Sequence, residues 1–149
     1  MKIAIIVIGK EKDFSAHEAV AEYSSRIAHY IPIEWTYIPA SDASEEGKRI
    51  TRALETYDTG SHVVALDEKG KEYSSVDFSK FIQTRMNEGL KSLVFLIGGS
   101  YGLGDEVRAR AKTTIALSQL TFPHQLVRLI LAEQMYRACT ILKGEKYHH

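Results

Sequence analysis

The sequence has 149 residues, enough for one compact domain with a sizeable core, and its 44% hydrophobic and 26% charged residues are typical of a soluble globular protein. No stretch reaches the roughly 18 apolar residues that a membrane span needs, so no membrane partner is expected. The 19 basic and 19 acidic residues give zero net charge, which argues against general nucleic-acid binders and against a DNA partner, because nonspecific affinity comes mainly from neutralising phosphates.

Apolar β-branched runs alternate with segments of helical spacing along the whole chain. The runs that predict strands are residues 2–8, 33–38, 62–67, 92–97 and 114–117. The segments that predict helices are residues 14–30, 44–57, 75–88, 104–112 and 125–142. Residues 68–71 are typical of a turn. Because strands separated by helices of this length pair in parallel, the sequence predicts one α/β domain over residues 1–149, with a parallel sheet flanked by helices.

Short polar residues and glycine mark the expected helix ends. Asp13 or Ser15 is the candidate cap of the first helix, and Ser74 or Ser75 that of the third. Gly89 is expected to terminate the third helix. The first apolar run has no small-residue cleavage site after it, so a buried first strand is favoured over a signal peptide.

The cysteine and histidine content argues against disulfides and metal sites. Cys139 is the only cysteine, so no internal disulfide can form and no thiolate metal site is indicated. It lies in an apolar helical stretch, which predicts a buried and unreactive thiol. The isolated histidines have no metal-ligand spacing. We therefore predict a cytoplasmic protein without a bound metal ion.

Three segments follow strand ends, where ligands bind in open parallel sheets: residues 66–68, 98–102 and 117–122. The second has three glycines in five residues, which allow positive φ and a close approach of backbone N–H groups to a ligand. It is not a P-loop, because no Gly-Lys-Ser/Thr follows, and a dinucleotide-binding loop would follow the first strand instead. Taken alone, this segment indicates a tight turn more than a ligand site.

The segment 117–122 has two interpretations that the spacing leaves open. Its hydroxyls and its nonhelical backbone suit recognition of an adenine edge, with Leu117, Leu120 and Phe122 as apolar walls. Alternatively, the same hydroxyls cap the final helix, near whose start Pro123 lies as capping preferences expect.

The final helix is too apolar for one solvated face, since 12 of its 18 residues are apolar. Burial against both its own sheet and a second subunit explains this economically. Glu133 and Arg137 are four residues apart. Either they form an ion pair along the helix, or Arg137 presents its guanidinium to RNA. The tail, residues 143–149, is expected to fray or even to carry a tag remnant, although Tyr147 and His148 could contact an unpaired base.

In order and spacing, four strings resemble the ribosomal RNA large subunit methyltransferase H family, a small SPOUT class of methyltransferases. They are LIGGSYGL at 96–103, LSQLTFPHQLVR at 117–128, EQMYRA at 133–138 and KGEKYH at 143–148. Residues 1–9 and 66–67 also fit, so the resemblance covers essentially the full chain. It implies an α/β SPOUT fold with a C-terminal trefoil knot, a homodimer, and S-adenosylmethionine as methyl donor. It also implies methylation of N3 of a pseudouridine in 23S ribosomal RNA within the assembled ribosome.

The resemblance assigns roles to individual residues. Those expected to bind the cofactor are Leu66, Gly98, Leu117, Ser118, Gln119, Leu120, Thr121 and Phe122. Arg137, Tyr147 and His148 are expected to be catalytic, with the tail reaching the partner subunit's cofactor. By hypothesis, His148 or Tyr147 assists deprotonation of N3 or orients the base, while Arg137 stabilises the developing negative charge.

A local charge surplus is expected to compensate for the neutral net charge. From Arg128 onward, four basic residues stand against two acidic ones, and dimerisation doubles this surplus. We expect it to suffice at one structured ribosomal site, with poor activity on naked RNA. Two other functions are compatible with the sequence. One is that of a SPOUT methyltransferase acting on transfer RNA, although relatives of that kind usually carry an appended RNA-binding domain. The other is that of a noncatalytic nucleotide-binding or interaction module.

Overall fold

The computed structural model describes residues 1–57 and 59–149. Within them, the strands are β1 (Lys2–Ile8), β2 (Ile33–Ile38), β3 (Ser61–Glu72), β4 (Ser92–Ile97) and β5 (Thr113–Ala116). They form one sheet in the order β2-β1-β4-β3-β5, and every neighbouring pair is parallel. The predicted parallel α/β sheet is confirmed, and β1, β2 and β4 have the predicted bounds because each is a continuous apolar or alternating run.

The helices are α1 (His17–Ile27), α2 (Ala43–Leu54), α3 (Ser75–Asn87), α4 (Asp105–Arg110) and α5 (His124–Leu142), preceded by a short 3-10 helix (Glu11–Asp13). Ser74 caps α3 by accepting the N–H of Asp77 at 3.0 Å, and Gly89, with φ +71°, follows its end, as predicted. None of these helices, in the part of the chain that is described, is long and apolar enough to cross a membrane.

The expected start of α1 is wrong. The helix begins three residues later than predicted, and no side chain caps it. The carboxylate of Asp13 accepts the N–H of Lys10 at 3.2 Å instead, because residues 11–13 form their own 3-10 turn. Ser15 lies in the turn that links the two helices and does not cap α1 either.

The expected turn at residues 68–71 is also corrected. Strand β3 continues to Glu72, and its pairing with β5 shifts register between Leu66 and Lys71. The backbone N–H of Lys69 donates to the Asp67 carboxylate at 2.8 Å, so the local turn chemistry is present. Because β5 lies alongside and pairs with both halves, the turn residues form an irregularity within a strand and do not end it.

Hydrophobic side chains cover both faces of the sheet, as a buried parallel sheet requires. On one face, β1, β3 and β4 pack against α1, α3 and α5, and on the other against α2 and α4. Cys139 of α5 is 2% exposed within the first of these cores, so its predicted burial is confirmed. Burial raises the pKa of its thiol to about 11.

The charged residue Arg128 is buried, contrary to the expectation that it adds to an RNA-binding surplus. It is 1% exposed. Its guanidinium donates to the carbonyl oxygens of Lys10 (2.9 Å) and Ile8 (3.2 Å) and lies over the ring of Tyr37 at 5.5 Å. Arg128 therefore holds the chain after β1 in place and is not available to RNA phosphates.

Candidate functional site

A cavity of about 470 Å³ opens where β3, β4 and β5 present their carboxyl ends. We term it the strand-end pocket. Its walls are the β3 irregularity after Leu66, the glycine loop (residues 98–102), the β5–α5 loop (residues 117–123) and the first turn of α5. Parallel pairing brings these distant segments together, because it places the carboxyl ends of all strands on one edge.

The glycine loop is a tight turn that also lines the pocket. A Cβ atom on Gly98 would lie 2.6 Å from the carbonyl carbon of Gly102, so this close approach of two main chains requires glycine. Gly102 has φ +68°, and its N–H donates to the carbonyl oxygen of Gly99 at 2.9 Å. The turn predicted from the glycines is therefore present, and its backbone faces a cavity.

The β5–α5 loop uses its hydroxyls to shape itself and to bridge the pocket. Ser118 Oγ accepts the N–H of Leu120 at 3.0 Å, and Thr121 Oγ1 donates to Glu68 Oε2 at 2.6 Å. No side chain caps the first turn of α5, so the interpretation of these hydroxyls as helix caps is wrong. The hydroxyl of Thr121 instead ties the β5–α5 loop to the β3 irregularity.

Charged and neutral polar side chains also line the strand-end pocket. Asp67 Oδ2 lies 3.6 Å from Arg108 Nη1, and the Nε–H of Arg108 donates to the carbonyl oxygen of Leu103 at 2.8 Å. His124, the first residue of α5, also lines the pocket. Burial and the nearby Arg128 lower the pKa of His124, and the charge of Glu46 opposes them. The imidazole is therefore neutral at pH 7 and offers one donor and one acceptor.

Of the eight residues expected to bind the cofactor, seven line this pocket: Leu66, Gly98, Leu117, Ser118 and residues 120–122. The side chain of Gln119 turns away and donates to Glu72 Oε2 at 3.4 Å. Sequence reasoning gave no role to Arg108, His124 or Val127, which also line the pocket. His124 and Val127 belong to a string that carried the family resemblance, whereas Arg108 has no signal in the sequence.

The three residues expected to be catalytic lie together where the C-terminal half of α5 meets the tail. Arg137 donates to Glu133 Oε1 from Nε (3.0 Å) and from Nη2 (2.6 Å), and this bond raises the pKa of the guanidinium. The hydroxyl of Tyr147 donates to the same oxygen at 3.1 Å. Arg137 Nη1 lies 3.1 Å from His148 Nδ1. We term Glu133, Arg137, Tyr147 and His148 the tail cluster.

Aromatic packing holds the tail against its own chain, so the expectation that it frays is wrong. The ring of Tyr147 lies 4.8 Å from that of Tyr136 and 4.8 Å from the guanidinium of Arg137. Its hydroxyl is 3.5 Å from that of Tyr23 on α1. Earlier in the tail, Glu145 accepts the hydroxyl of Tyr30 at 2.7 Å. The ion pair between Glu133 and Arg137 is confirmed, and the presentation of the guanidinium to RNA stays a prediction.

The strand-end pocket and the tail cluster are separate within one chain. Val127 is the last residue of α5 that lines the pocket, and Arg137 lies ten residues farther along the same helix. At a rise of about 1.5 Å per residue, this places the two about 15 Å apart along the helix axis. One face of α5 carries half-buried apolar side chains, among them Leu126, Leu129 and Ile130.

The sequence was also compared with known proteins. The sequence profile of the family described as "Predicted SPOUT methyltransferase" matches residues 1–148. The "Ribosomal RNA large subunit methyltransferase H" of Cytophaga hutchinsonii is 47% identical over 158 aligned positions, which cover 100% of both chains.

Two solved structures share the fold at low sequence identity. A probable methylase family protein from Haemophilus influenzae superposes with a TM-score of 0.59 at 11% identity, covering 99% of this chain and 70% of that one. The SpoU methyltransferase AviRb from Streptomyces viridochromogenes, solved in complex with AdoMet, gives a TM-score of 0.52 at 12% identity. The match covers 97% of this chain, which spans 59% of the length of AviRb.

Proposed function

Because this chain belongs to the SPOUT methyltransferases, and among them to the ribosomal RNA large subunit methyltransferase H family, we propose that it transfers a methyl group from S-adenosylmethionine to N3 of a pseudouridine in 23S ribosomal RNA. The substrate is the assembled ribosome, and the enzyme acts as a homodimer. The observation that carries the proposal is that seven of the eight residues expected to bind the cofactor line one pocket, although they come from three separate segments.

The strand-end pocket suits S-adenosylmethionine in size and in chemistry. Its volume of about 470 Å³ falls within the roughly 300–1,000 Å³ of small-molecule sites. Leu66, Phe122 and Val127 provide apolar walls for an adenine ring, and the carboxylates of Asp67 and Glu68 suit a cationic ligand. When bound, the cofactor supplies a methyl group already activated on a sulfonium. The pocket's task is then to bind and align it.

Two features support a dimer whose active site is shared between subunits. Leu126, Leu129, Ile130 and Ile141 of α5 are only half-buried in one chain, and pairing with a second copy would complete their burial. Arg137 of the tail cluster lies about 15 Å along α5 from its own pocket, at about 1.5 Å per residue. We therefore assign the tail of one subunit to the pocket of the other.

Within the shared site, Arg137 provides a fixed positive charge. Its two bonds to Glu133 hold the guanidinium in one orientation, and we assign it to stabilise the negative charge that develops as N3 loses its proton. Bonding to Tyr23, burial and bonding to Glu133 raise the pKa of Tyr147. The phenol stays protonated at neutral pH, so it orients the base and does not remove its proton.

The hydrogen bond between Arg137 and His148 favours an orienting role for the imidazole as well. A guanidinium only donates, so Nδ1 of His148 accepts this bond, and the neutral ring carries its proton on Nε2. An Nε2–H group can donate to a carbonyl oxygen of the base. Of the two roles hypothesised for the tail residues, orientation of the base is therefore favoured over deprotonation of N3.

Radiolabelled methyl transfer to ribosomes from a strain lacking the activity, followed by mapping of the modified base, tests the proposal. A label on N3 of a 23S pseudouridine supports it, and a label elsewhere or on transfer RNA contradicts it. Equal rates on protein-free RNA and on intact ribosomes would contradict the ribosome as substrate. Calorimetry with S-adenosylmethionine addresses the noncatalytic alternative, since a pure interaction protein gives no heat of binding.

Three further expectations stay predictions: a trefoil knot in the C-terminal portion, a single domain over residues 1–149, and a cytoplasmic location. The burial of Arg128 removes one of the four basic residues from the expected surplus after residue 128. Three basic residues against two acidic ones then remain in that region, which strengthens the expectation that shape recognition on the ribosome supplies most of the affinity for RNA.

A further inference from the structure

Among the described residues, Glu46 of α2 is the one acidic side chain in the interior, and the mechanism above does not use it. Only 3% of the residue is exposed. Its Oε2 accepts the backbone N–H of Ser41 at 2.8 Å, whereas Oε1 has no hydrogen-bond partner in the described part of the chain. A buried carboxylate with an unpartnered oxygen destabilises a fold, so its retention calls for an explanation.

The unpartnered oxygen lies directly under the glycine loop. A Cβ atom on Gly99 would stand 3.5 Å from Glu46 Oε1 and 2.8 Å from the side chain of Ile8. Gly99 itself lines the strand-end pocket. One glycine residue thus separates a buried negative charge from the cavity. The charge of Glu46 also acts on His124 of the same pocket. It raises the pKa of that imidazole, whereas burial and Arg128 lower it.

The charge of Glu46 is not neutralised by a local partner. Among the residues that the structure describes, no ion pair includes it. The nearby guanidinium of Arg128 donates to the carbonyl oxygens of Ile8 and Lys10 and makes no bond to the carboxylate. A glutamine would accept the N–H of Ser41 equally well, so that bond does not account for a charged side chain.

Resting on the proposed function, we propose that Glu46 makes the pocket prefer S-adenosylmethionine over S-adenosylhomocysteine. In the transfer, the bond from sulfur to the methyl carbon breaks, the bond from N3 to that carbon forms, and the N3 proton leaves. The cationic sulfonium thereby becomes a neutral thioether. A fixed negative charge beneath the glycine loop attracts the sulfonium and has no such attraction for the thioether.

This difference favours loading of the donor and release of the product without any movement of the pocket. At an effective dielectric constant of about 20, one charge acting across a loop changes relative affinity by about tenfold. The carboxylates of Asp67 and Glu68 add to the same field, but Asp67 lies beside Arg108 and Glu68 bonds to Thr121. Glu46 differs from them in being buried, where a charge is screened least, and in having no ion pair with any described residue.

Calorimetric dissociation constants for both ligands, measured on the wild type and on variants, test this assignment. The ratio of the two constants is the readout, because a merely structural defect weakens both ligands together. Glu46→Gln keeps the acceptor for Ser41 and removes the charge, and Glu46→Met fills the same space with no polar atom. Glu45→Gln is the matched control, since Glu45 lies one residue away on α2, is only half-buried and pairs with Arg49 at 3.1 Å.

We expect the wild type and Glu45→Gln to prefer S-adenosylmethionine, and Glu46→Gln and Glu46→Met to lose about tenfold of that preference. Whichever Glu46 variant folds gives the answer. Equal affinity of the wild type for the two ligands, or an unchanged ratio in the Glu46 variants, would overturn the role of Glu46 while leaving the proposed function intact. A wild type that binds neither ligand would overturn the proposed donor itself.

Discussion

The strand-end pocket and the tail cluster are built in opposite ways. The pocket is formed by segments from distant parts of the chain, and its shape depends on main chains that approach as closely as Gly98 and Gly102 do. The tail cluster is made of side chains that converge on one atom, because Glu133 Oε1 accepts bonds from both Arg137 and Tyr147. The pocket should therefore be sensitive to added atoms, and the cluster to the loss of single functional groups.

The largest expected effect comes from adding one methyl group to the pocket. Gly98→Ala places a Cβ 2.6 Å from the backbone of Gly102, so the glycine loop must shift. We expect the affinity for S-adenosylmethionine, measured by calorimetry, to fall on the order of a hundredfold. Gly104→Ala is the control, because a Cβ there meets no atom within 4 Å. Equal affinities of the two variants would show that the backbone packing of the loop does not shape the site.

A mixing experiment tests whether the two regions work together across subunits. Gly98→Ala impairs the pocket and Arg137→Ala the tail cluster, so each variant alone should be nearly inactive. In a heterodimer of the two, one shared site keeps an intact pocket and an intact tail. If subunits exchange at random, about half of the dimers are mixed, and methyl transfer should recover to about one quarter of the wild-type rate. No recovery after verified subunit exchange would place each active site within one chain.

Removing a charge from the tail cluster should separate catalysis from cofactor binding. Glu133→Gln replaces the carboxylate that holds Arg137 and Tyr147, and charge-assisted bonds are about twice as strong as neutral ones. We expect kcat to fall about tenfold, with the affinity for S-adenosylmethionine unchanged. Glu22→Gln is the control, since Glu22 forms an exposed pair of the same spacing with Arg26. A loss of cofactor affinity in Glu133→Gln would mean that the two regions are not independent.

The smallest expected effect is a pH dependence of stability. Burial lowers the folded-state pKa of His124 in the pocket and of His62 on β3 below the usual 6.5. Each neutral imidazole therefore contributes stability that is present above pH 6.5 and is lost as the pH falls toward the folded-state pKa. We expect His124→Gln to flatten the decline in unfolding free energy below pH 6.5, measured by urea titration. An unchanged slope would contradict a half-buried His124 with a lowered pKa.

His62→Gln provides a second measurement away from both functional regions. His62 Nε2 lies 2.7 Å from Thr113 Oγ1, and Arg85 Nη1 lies 3.2 Å from its Nδ1. Its share of the pH dependence should add to that of His124, because the two sites have no common partner among these bonds. A double variant whose slope equals that of His124→Gln alone would show that the pocket accounts for the whole acid effect.

The pocket could be located from the sequence in a way that the tail cluster could not. The strands 33–38 and 92–97 are recognisable from local apolar patterns, and parallel pairing then predicts that residues 66–68, 98–102 and 117–122 meet. The tail carries no such pattern, and as a chain end it was expected to fray. Only the family resemblance linked Arg137 with Tyr147 and His148, and only the structure shows that Glu133 joins them.

By itself, the sequence determined the order and type of the elements and the edge of the sheet where a ligand could bind, because apolar periodicity and glycine preferences act over a few residues. The tertiary structure decided which elements became neighbours. It decided that β5 lies beside β3 and extends it to Glu72, and that Arg128 faces two carbonyl groups in the interior. It also placed the tail on α1 and α5, far along the helix from its own pocket. These features depend on contacts between residues distant in the chain, which no local pattern encodes.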